Sequence, residues 1–329
     1  MQRALGSSGI NVNAIGMGCW AMGGVWTWMS QPGGWGEVDD AESIRAIHRA
    51  LELGVHLFDT AAAYGTGHSE TILGQALGKR RGEAVIATKF GWQVDVAHKH
   101  AGAYPDSSTI VQNVREECQR SLTRLNTDYI DLYQLHVGDF PLELLPDLVS
   151  ELERLVADGM IRSYGWSTDD PGRVAAIAQV PHCVAIQHDL NVVVDAPEIL
   201  ELCVRHNLAS LNRTPLARGA LTGKYTRQTQ FAANDVRTDD WSKERFFGPT
   251  YDKLELIREI LCSGGRSLTQ GALAWIWGRS PQTIPIPGFR TAAQVEENVK
   301  ALEFGPLSAA QMAEIQEIVR RPTSEPRAS

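Results

Sequence analysis

Eight short runs rich in β-branched and apolar residues recur along the chain, each followed by a longer segment of helical periodicity. This alternation constrains the fold more than any other feature, because successive strands separated by crossover helices pair in parallel. The runs are Ala14–Met17, Val55–Asp59, Val85–Lys89, Ile130–Leu135, Ile161–Gly165, Val184–Gln187, Ala209–Asn212 and Ile284–Ile286. The helical patterns lie at about Asp40–Leu53, Ser69–Leu77, Thr109–Leu125, Glu143–Asp158, Pro171–Ala178, Pro197–His206, Ser267–Gly278 and Thr291–Ala301, with a final helix over Ser308–Arg320. Their ends carry signals: Ser69 and Thr109 as N-caps, Pro171 and Pro197 near helix starts, Gly54 and Gly159 as stops. Eight such units close a (β/α)8 TIM barrel.

A doubly wound open sheet uses the same units, but it normally places G-x-G-x-x-G between its first strand and first helix. Here that strand runs into Gly16-Met17-Gly18-Cys19-Trp20-Ala21-Met22-Gly23-Gly24, without the fingerprint in register. The barrel is therefore expected. Three segments exceed the repeat: residues 23–36, 94–106 and 219–249 follow the first, third and seventh strands. Long insertions after strands belong at the C-terminal mouth, where they build pockets and lids. The whole chain, residues 1–329, is expected to be one barrel domain with a frayed tail over residues 322–329.

The chain holds 39 acidic and 31 basic residues, a net charge of -8, with 43% hydrophobic content. That balance suits a soluble protein and argues against general affinity for nucleic acid or anionic membrane. Cys19, Cys118, Cys183, Cys203 and Cys262 are odd in number and widely spaced, which fits a reducing cytoplasm better than a disulfide framework. The opening residues lack a secretory h-region, and no apolar run is long enough to span a membrane. His182, Cys183 and His188, and the pair His98 and His100, match no established metal-ligand spacing, so no metal is expected.

Residues at the C-terminal ends of barrel strands share one mouth however far apart they lie in sequence. Asp59 ends the second run, Lys89 ends the third, His136 follows the fourth, and Tyr64 lies on the loop after Asp59. Such a set suits reduction of a carbonyl, whose oxygen needs a proton as hydride reaches the carbon. Tyr64 is the natural donor; an adjacent ammonium, Lys89, lowers the pKa of a phenol that otherwise sits near ~10. Asp59 holds and charges Lys89, while His136 orients the carbonyl oxygen or assists proton passage. Singly, each residue has an ordinary reading in capping, packing or snorkelling; their joint position carries the assignment.

The chain resembles the aldo-keto reductase superfamily over nearly its whole length, and most closely its bacterial members similar to potassium-channel β-subunits. The resemblance is carried by Leu57-Phe58-Asp59-Thr60-Ala61-Ala62-Ala63-Tyr64-Gly65, Ala87-Thr88-Lys89-Phe90-Gly91, Asp128-Tyr129-Ile130-Asp131-Leu132-Tyr133-Gln134-Leu135-His136, Pro215-Leu216-Ala217-Arg218-Gly219 and Ile284-Pro285-Ile286-Pro287-Gly288-Phe289-Arg290. It implies a catalytic tetrad of Asp59, Tyr64, Lys89 and His136, and NADPH-dependent reduction of an aldehyde or ketone to an alcohol. A regulatory NADPH-binding sensor and a Schiff-base aldolase using Lys89 are the rival readings; Asp59 would hold that amine charged and poorly nucleophilic.

A cofactor site is expected where the last strand enters a helix. Thr291-Ala292-Ala293-Gln294 reads as a capping box, its free N–H groups favour phosphate, and Arg290 suits the 2′-phosphate of NADP(H). The resemblance implies that Gly288, Arg290 and Gln294 contact the adenosine phosphate and Glu297 and Asn298 the adenine. It also implies that Ser167 and Gln187 bind the nicotinamide carboxamide, and that Thr214, Pro215, Leu216 and Gly219, on to Lys224, wrap the pyrophosphate. Gly18, Trp20 and Asp59 complete the candidate cofactor contacts, and Trp20, Tyr64, Trp92 and His136 the substrate pocket. Two positions depart from the family pattern: Thr168 replaces a common Asn, and Arg213 stands where an aromatic often stacks on nicotinamide. A cation there is expected to weaken discrimination in favour of the oxidised cofactor. Trp20, Trp26, Trp28, Trp35 and Trp92 fall in or beside mouth loops, either as an aromatic wall for an apolar or cyclic carbonyl or as pins for the loops.

Overall fold

The computed structural model describes residues 1–239 and 242–320, so the expected tail at 322–329 lies outside the described residues. Eight parallel strands form one sheet: β1 (Met17–Gly18), β2 (Leu57–Asp59), β3 (Val85–Phe90), β4 (Leu132–Leu135), β5 (Tyr164–Ser167), β6 (Cys183–Asp189), β7 (Ala209–Arg213) and β8 (Thr283–Pro285). They neighbour one another in chain order, and the two ends meet. Gly16 N donates to Pro285 O and Gly18 N to Pro287 O, each at 3.0 Å, and Gly18 bridges Gly288 in parallel. The sheet therefore closes into the expected (β/α)8 barrel. A Cβ at Gly18 would stand 2.7 Å from Ile286 O, so only glycine lets the seam close this tightly.

The helices are α1 (Asp40–Glu52), α2 (His68–Leu77), α3 (Ser108–Leu125), α4 (Leu145–Ala157), α5 (Pro171–Ile177), α6 (Pro197–Arg205), α7 (Gly248–Leu261), α8 (Leu268–Arg279), α9 (Ala292–Phe304) and α10 (Ala309–Arg320). α1 shows why they form where they do. It buries Ser43, Ala46, Ile47, Ala50 and Leu51, the i, i+3, i+4, i+7, i+8 stripe that faces a sheet. Asp39 caps its start by accepting from Glu42 N at 3.1 Å, and Gly54 follows its end at φ +79. Pro171 and Pro197 open α5 and α6 as expected, and Gly159 follows α4 at φ +72.

Two expected caps are corrected. Ser69 lies inside α2, which follows Gly67, and its hydroxyl donates to Cys19 O at 2.8 Å beside Thr60 Oγ1. Thr109 likewise lies inside α3, one residue beyond its start. At Ser69 a side chain near a helix start satisfies other groups, a competition local pattern cannot resolve.

The mouth insertions are partly ordered as strands. Thr27–Trp28 and Gln31–Pro32 from the first join Gln93–Asp95 and His100–Gly102 from the third in a four-stranded sheet. Val236 N donates to Gly34 O at 2.7 Å, tying the seventh-strand loop to the first. At the opposite end, an antiparallel hairpin (Gln2–Ala4 with Asn11–Asn13) sends Leu5 and Val12 into the cluster of Leu57, Leu132 and Ile284 that fills the barrel interior. Helix α7 lacked a sequence expectation, although Leu254, Ile257 and Leu261 sit at helical spacing and are buried.

Candidate active site

Side chains two residues apart on a strand share a face, so the interior is built in layers. Leu57, Ala87, Leu132, Ala185 and Leu211 belong to the apolar filling of the barrel. Two residues further on stand Asp59, Lys89, Gln134, Gln187 and Arg213. Thus one polar layer caps an apolar one at the mouth. Register is staggered across the layer: Gln134 is opposite Lys89, but Asp59 is opposite Ala87 and Gln187 opposite Leu211, while Arg213 is opposite Asp189 two residues further along.

The Lys89 ammonium lies at the centre of that layer, closed to solvent, with three acceptors: Asp59 Oδ2 at 2.6 Å, Thr60 O at 2.8 Å and the Tyr64 hydroxyl at 3.2 Å. Three N–H groups meet three oxygens, the arrangement of a charged amine. Burial is the strongest single influence and opposes the charge, but Asp59 and Tyr64 together hold the Lys89 pKa above its ordinary value. Tyr64 reaches this point from a 3-10 turn, Tyr64–Gly67, where Gly65 takes φ +61 and a Cβ would lie 2.1 Å from Gly23 O.

The balance at Tyr64 differs from the expected acidified phenol. Burial raises its pKa above the ordinary value; Lys89 and Arg213 pull it down without overcoming that effect. The phenol therefore keeps its proton. His136 faces Tyr64 edge-on, ring centroids 5.7 Å apart, and its buried Nδ1 lacks a hydrogen-bond partner among the described residues. Burial, then Lys89 and Arg213, drive its pKa well below the ordinary histidine value, so the ring is neutral.

Asp59 is held at its other oxygen too. Oδ1 accepts from Gln187 Nε2 at 2.7 Å and Gln134 Nε2 at 3.2 Å. Gln134 was not singled out in the sequence, although it lies two residues before His136 on the interior face of β4. Gln187, assigned by resemblance to the carboxamide, here commits its amide nitrogen to Asp59 and to Gln134 Oε1 at 3.3 Å.

On the far side, Arg213 is enclosed by acceptors. It donates to Asp189 Oδ1 at 2.9 Å and Ser167 Oγ at 3.0 Å and pairs with Asp169. Asp189 also pairs with Arg245 at 2.9 Å and accepts from Thr214 Oγ1 at 2.9 Å. Two arginines hold the buried Asp189 carboxyl below the usual carboxylate range despite burial, the largest single influence and an opposing one. The Asp169, Asp189 and Arg245 partners were missed because ion pairs between loops leave no periodic signal; Asp189, at a strand end, was findable. Thr168 turns inward to donate to Gly138 O at 2.8 Å.

The candidate cofactor loops converge on the same rim. Gly18 and Gly288 form the barrel seam, and Thr214, Ala217, Arg218 and Gly219 take positive φ in the loop containing Pro215 and Leu216. Lys224 is exposed at its end. Thr291 Oγ1 accepts from Gln294 N at 3.3 Å, but Gln294 Oε1 accepts from Arg290 N at 2.7 Å rather than closing the expected box on Thr291. The Arg290 guanidinium donates to the main-chain carbonyls of Trp35 and Glu37. Both are neutral acceptors. Asn298 donates to Gly288 O at 3.4 Å, whereas Glu297 accepts from Ser267 Oγ and, at 3.2 Å, from Gln270.

The tryptophans contribute both to the wall and to loop anchorage. Trp20 stacks on Tyr64 at 5.8 Å and donates to Gly33 O at 2.8 Å, and Trp92 lies 6.3 Å from His136 and 4.1 Å from Trp28 between centroids. Trp35 meets Trp20 at 5.3 Å and Trp26 meets Trp28 at 6.4 Å. His98 and His182 pair with Asp95 and Glu153, and among the described residues no group of three His, Cys, Asp or Glu could hold a metal.

Residues 14–320 match the model of the aldo/keto reductase family. Aldo-keto reductase YhdN of Bacillus subtilis is 32% identical over 301 residues, covering 89% of this chain and 86% of its own. The NADH-specific methylglyoxal reductase of Escherichia coli is 31% identical, with 91% and 93% covered. Among solved structures, the glycerol dehydrogenase AKR11B4 of Gluconobacter oxydans superposes with a TM-score of 0.82 at 29% identity, over 100% of this chain and 98% of that one. Closed barrel, polar mouth layer and family match agree: the chain belongs to the aldo/keto reductase family.

Proposed function

We propose that the protein reduces an aldehyde or ketone to an alcohol with NADPH, using Asp59, Tyr64, Lys89 and His136. The observation that carries this reading is the Lys89 ammonium held at once by Asp59 and against the Tyr64 hydroxyl. NADPH, when bound, supplies the hydride that reaches the carbonyl carbon. Tyr64 gives its proton to the carbonyl oxygen, and the adjacent Lys89 stabilises the phenolate left behind. Asp59 keeps Lys89 charged and in place. His136, neutral and with a ring nitrogen lacking a partner among the described residues, orients the carbonyl oxygen.

Residue chemistry fits the cofactor. Arg290 rests on two neutral carbonyls, leaving its charge for a 2′-phosphate at the start of α9 beside Gly288 and Gln294. This favours NADPH over NADH, although one relative is named as NADH-specific. The left-handed run through Gly219 and the nearby Lys224 suit the pyrophosphate, Ser167 and Gln187 the carboxamide, and Glu297 and Asn298 the adenine. Trp20 and Trp92 flank the reacting groups and suit an apolar or cyclic carbonyl. No helix among the described residues is long and apolar enough to cross a membrane, and a cytoplasmic enzyme acting on a small molecule is the proposed setting.

The test is stopped-flow oxidation of bound NADPH over a panel of aldehydes, ketones, quinones and sugars. Turnover with at least one class is expected. Tight NADPH binding with no oxidation by any of them would favour a sensor instead.

A further inference from the structure

Gln134 takes no part in the roles above, yet its side chain is fully buried in the layer that carries them. Burying a primary amide is costly unless every polar atom is used, and a same-sized apolar residue would fill this space more cheaply. Its contacts give the reason for its presence. Nε2 donates to Asp59 Oδ1 at 3.2 Å, and Oε1 accepts from Gln187 Nε2 at 3.3 Å. Gln187 in turn donates to the same Asp59 oxygen at 2.7 Å.

We propose that Gln134 is a positioning residue for proton transfer: with Gln187 it anchors Oδ1 of Asp59, so that Oδ2 holds the Lys89 ammonium beneath the Tyr64 hydroxyl. This inference rests on Tyr64 as proton donor. A buried carboxylate with one oxygen unanchored could rotate about its side-chain bonds, and Oδ2 would then no longer fix the Lys89 ammonium against the Tyr64 hydroxyl. Amides prevent this without adding a titrating group: they donate N–H to the carboxylate at every pH. The contact between the two glutamines also fixes which end of Gln134 faces Asp59, since its carbonyl is already engaged.

The groups around the Tyr64 hydroxyl are Lys89, Asp59, Arg213 and the neutral His136, with the Trp20 ring stacked alongside. Moving the Lys89 ammonium away from the hydroxyl makes the phenol a weaker acid. For Gln134→Met, similar in length but without a donor, kcat should fall about ten-fold or more, as expected for loss of a hydrogen bond to a charged group. The alkaline limb of its kcat profile should move to higher pH, while NADPH affinity is retained. In Gln134→Glu a second carboxylate faces Asp59; the two must share a proton, and the activity maximum should move toward acid.

Both variants are measured beside Tyr64→Phe. If Tyr64→Phe is inactive but Gln134→Met keeps kcat and its alkaline limb, losing only thermal stability, the positioning role is overturned and the proton-donor reading stands. If Tyr64→Phe keeps full kcat, the proton-donor reading itself falls. Should Gln134→Met fail to fold, Gln134→Glu decides: an unshifted optimum overturns the proposal.

Discussion

Nζ of Lys89 and Oδ2 of Asp59 lie 2.6 Å apart in a pair closed to solvent. Removing one member of such a pair strands a buried charge, at a cost of about 3–5 kcal/mol. Lys89→Met and Asp59→Asn should each destabilise on that scale, and the double variant should lose clearly less than their sum. Urea titrations of the four proteins give the coupling directly. Strict additivity would show that the two charges do not depend on each other.

Acid should weaken the fold through His188. Its ring is fully buried, with Nε2 2.8 Å from Ser210 Oγ, and burial pushes its pKa down to about 4 against the pull of Asp189. In the unfolded chain the ring titrates near ~6.5, so between these values the unfolded state binds more protons than the folded one. The stability is therefore present above about pH 6.5 and is lost as pH falls toward 4, amounting to roughly 3 kcal/mol. His188→Asn should flatten the loss of urea midpoint between pH 7 and pH 4; an undiminished slope would exclude this residue as a source.

Arg213 and Arg245 face Asp169 and Asp189 as two positive and two negative charges. The cation that replaces a stacking aromatic is thus neutralised by its surroundings. Arg213→Tyr would leave a net negative charge beside the nicotinamide and remove one of the two arginines from Asp189. The Kd ratio of NADP+ to NADPH should fall roughly five-fold, about 1 kcal/mol of charge interaction, with a lower Tm. Fluorescence titration with both redox forms checks it. An unchanged ratio would mean that this charge does not act on the bound ring.

At the adenosine end, Arg290→Ala should weaken NADPH binding by about 1.5–3 kcal/mol, the usual worth of a hydrogen-bonded charge contact, while NADH affinity changes little. Parallel titration with the two cofactors separates the effects. Equal losses would place Arg290 in loop support through the Trp35 and Glu37 carbonyls.

The barrel was legible because its strands and helices repeat with different periods, as in the stripe from Ser43 to Leu51 against the alternation Leu57, Asp59. The tetrad positions were legible because strand ends share one mouth. What stayed hidden depends on partners distant in sequence. Ser69 reads as a cap until Cys19 O is known to lie against it, and nothing local to Gln134 announces Asp59, 75 positions away. The small mouth sheet was also missed, since two-residue strands such as Thr27–Trp28 are too short to show alternation. Helix α7 was missed for another reason: its Leu254, Ile257 and Leu261 stripe lies just beyond the 219–249 insertion, in a stretch assigned to no element.

Tyr64 carries the central claim, and its substitution tests it most directly. In Tyr64→Phe the ring that stacks on Trp20 remains and only the hydroxyl 3.2 Å from Lys89 is lost. NADPH affinity should be retained, while single-turnover carbonyl reduction falls by about 10²–10⁴-fold. Reduction at the wild-type rate with NADPH still bound would contradict the assignment of Tyr64 as the proton donor.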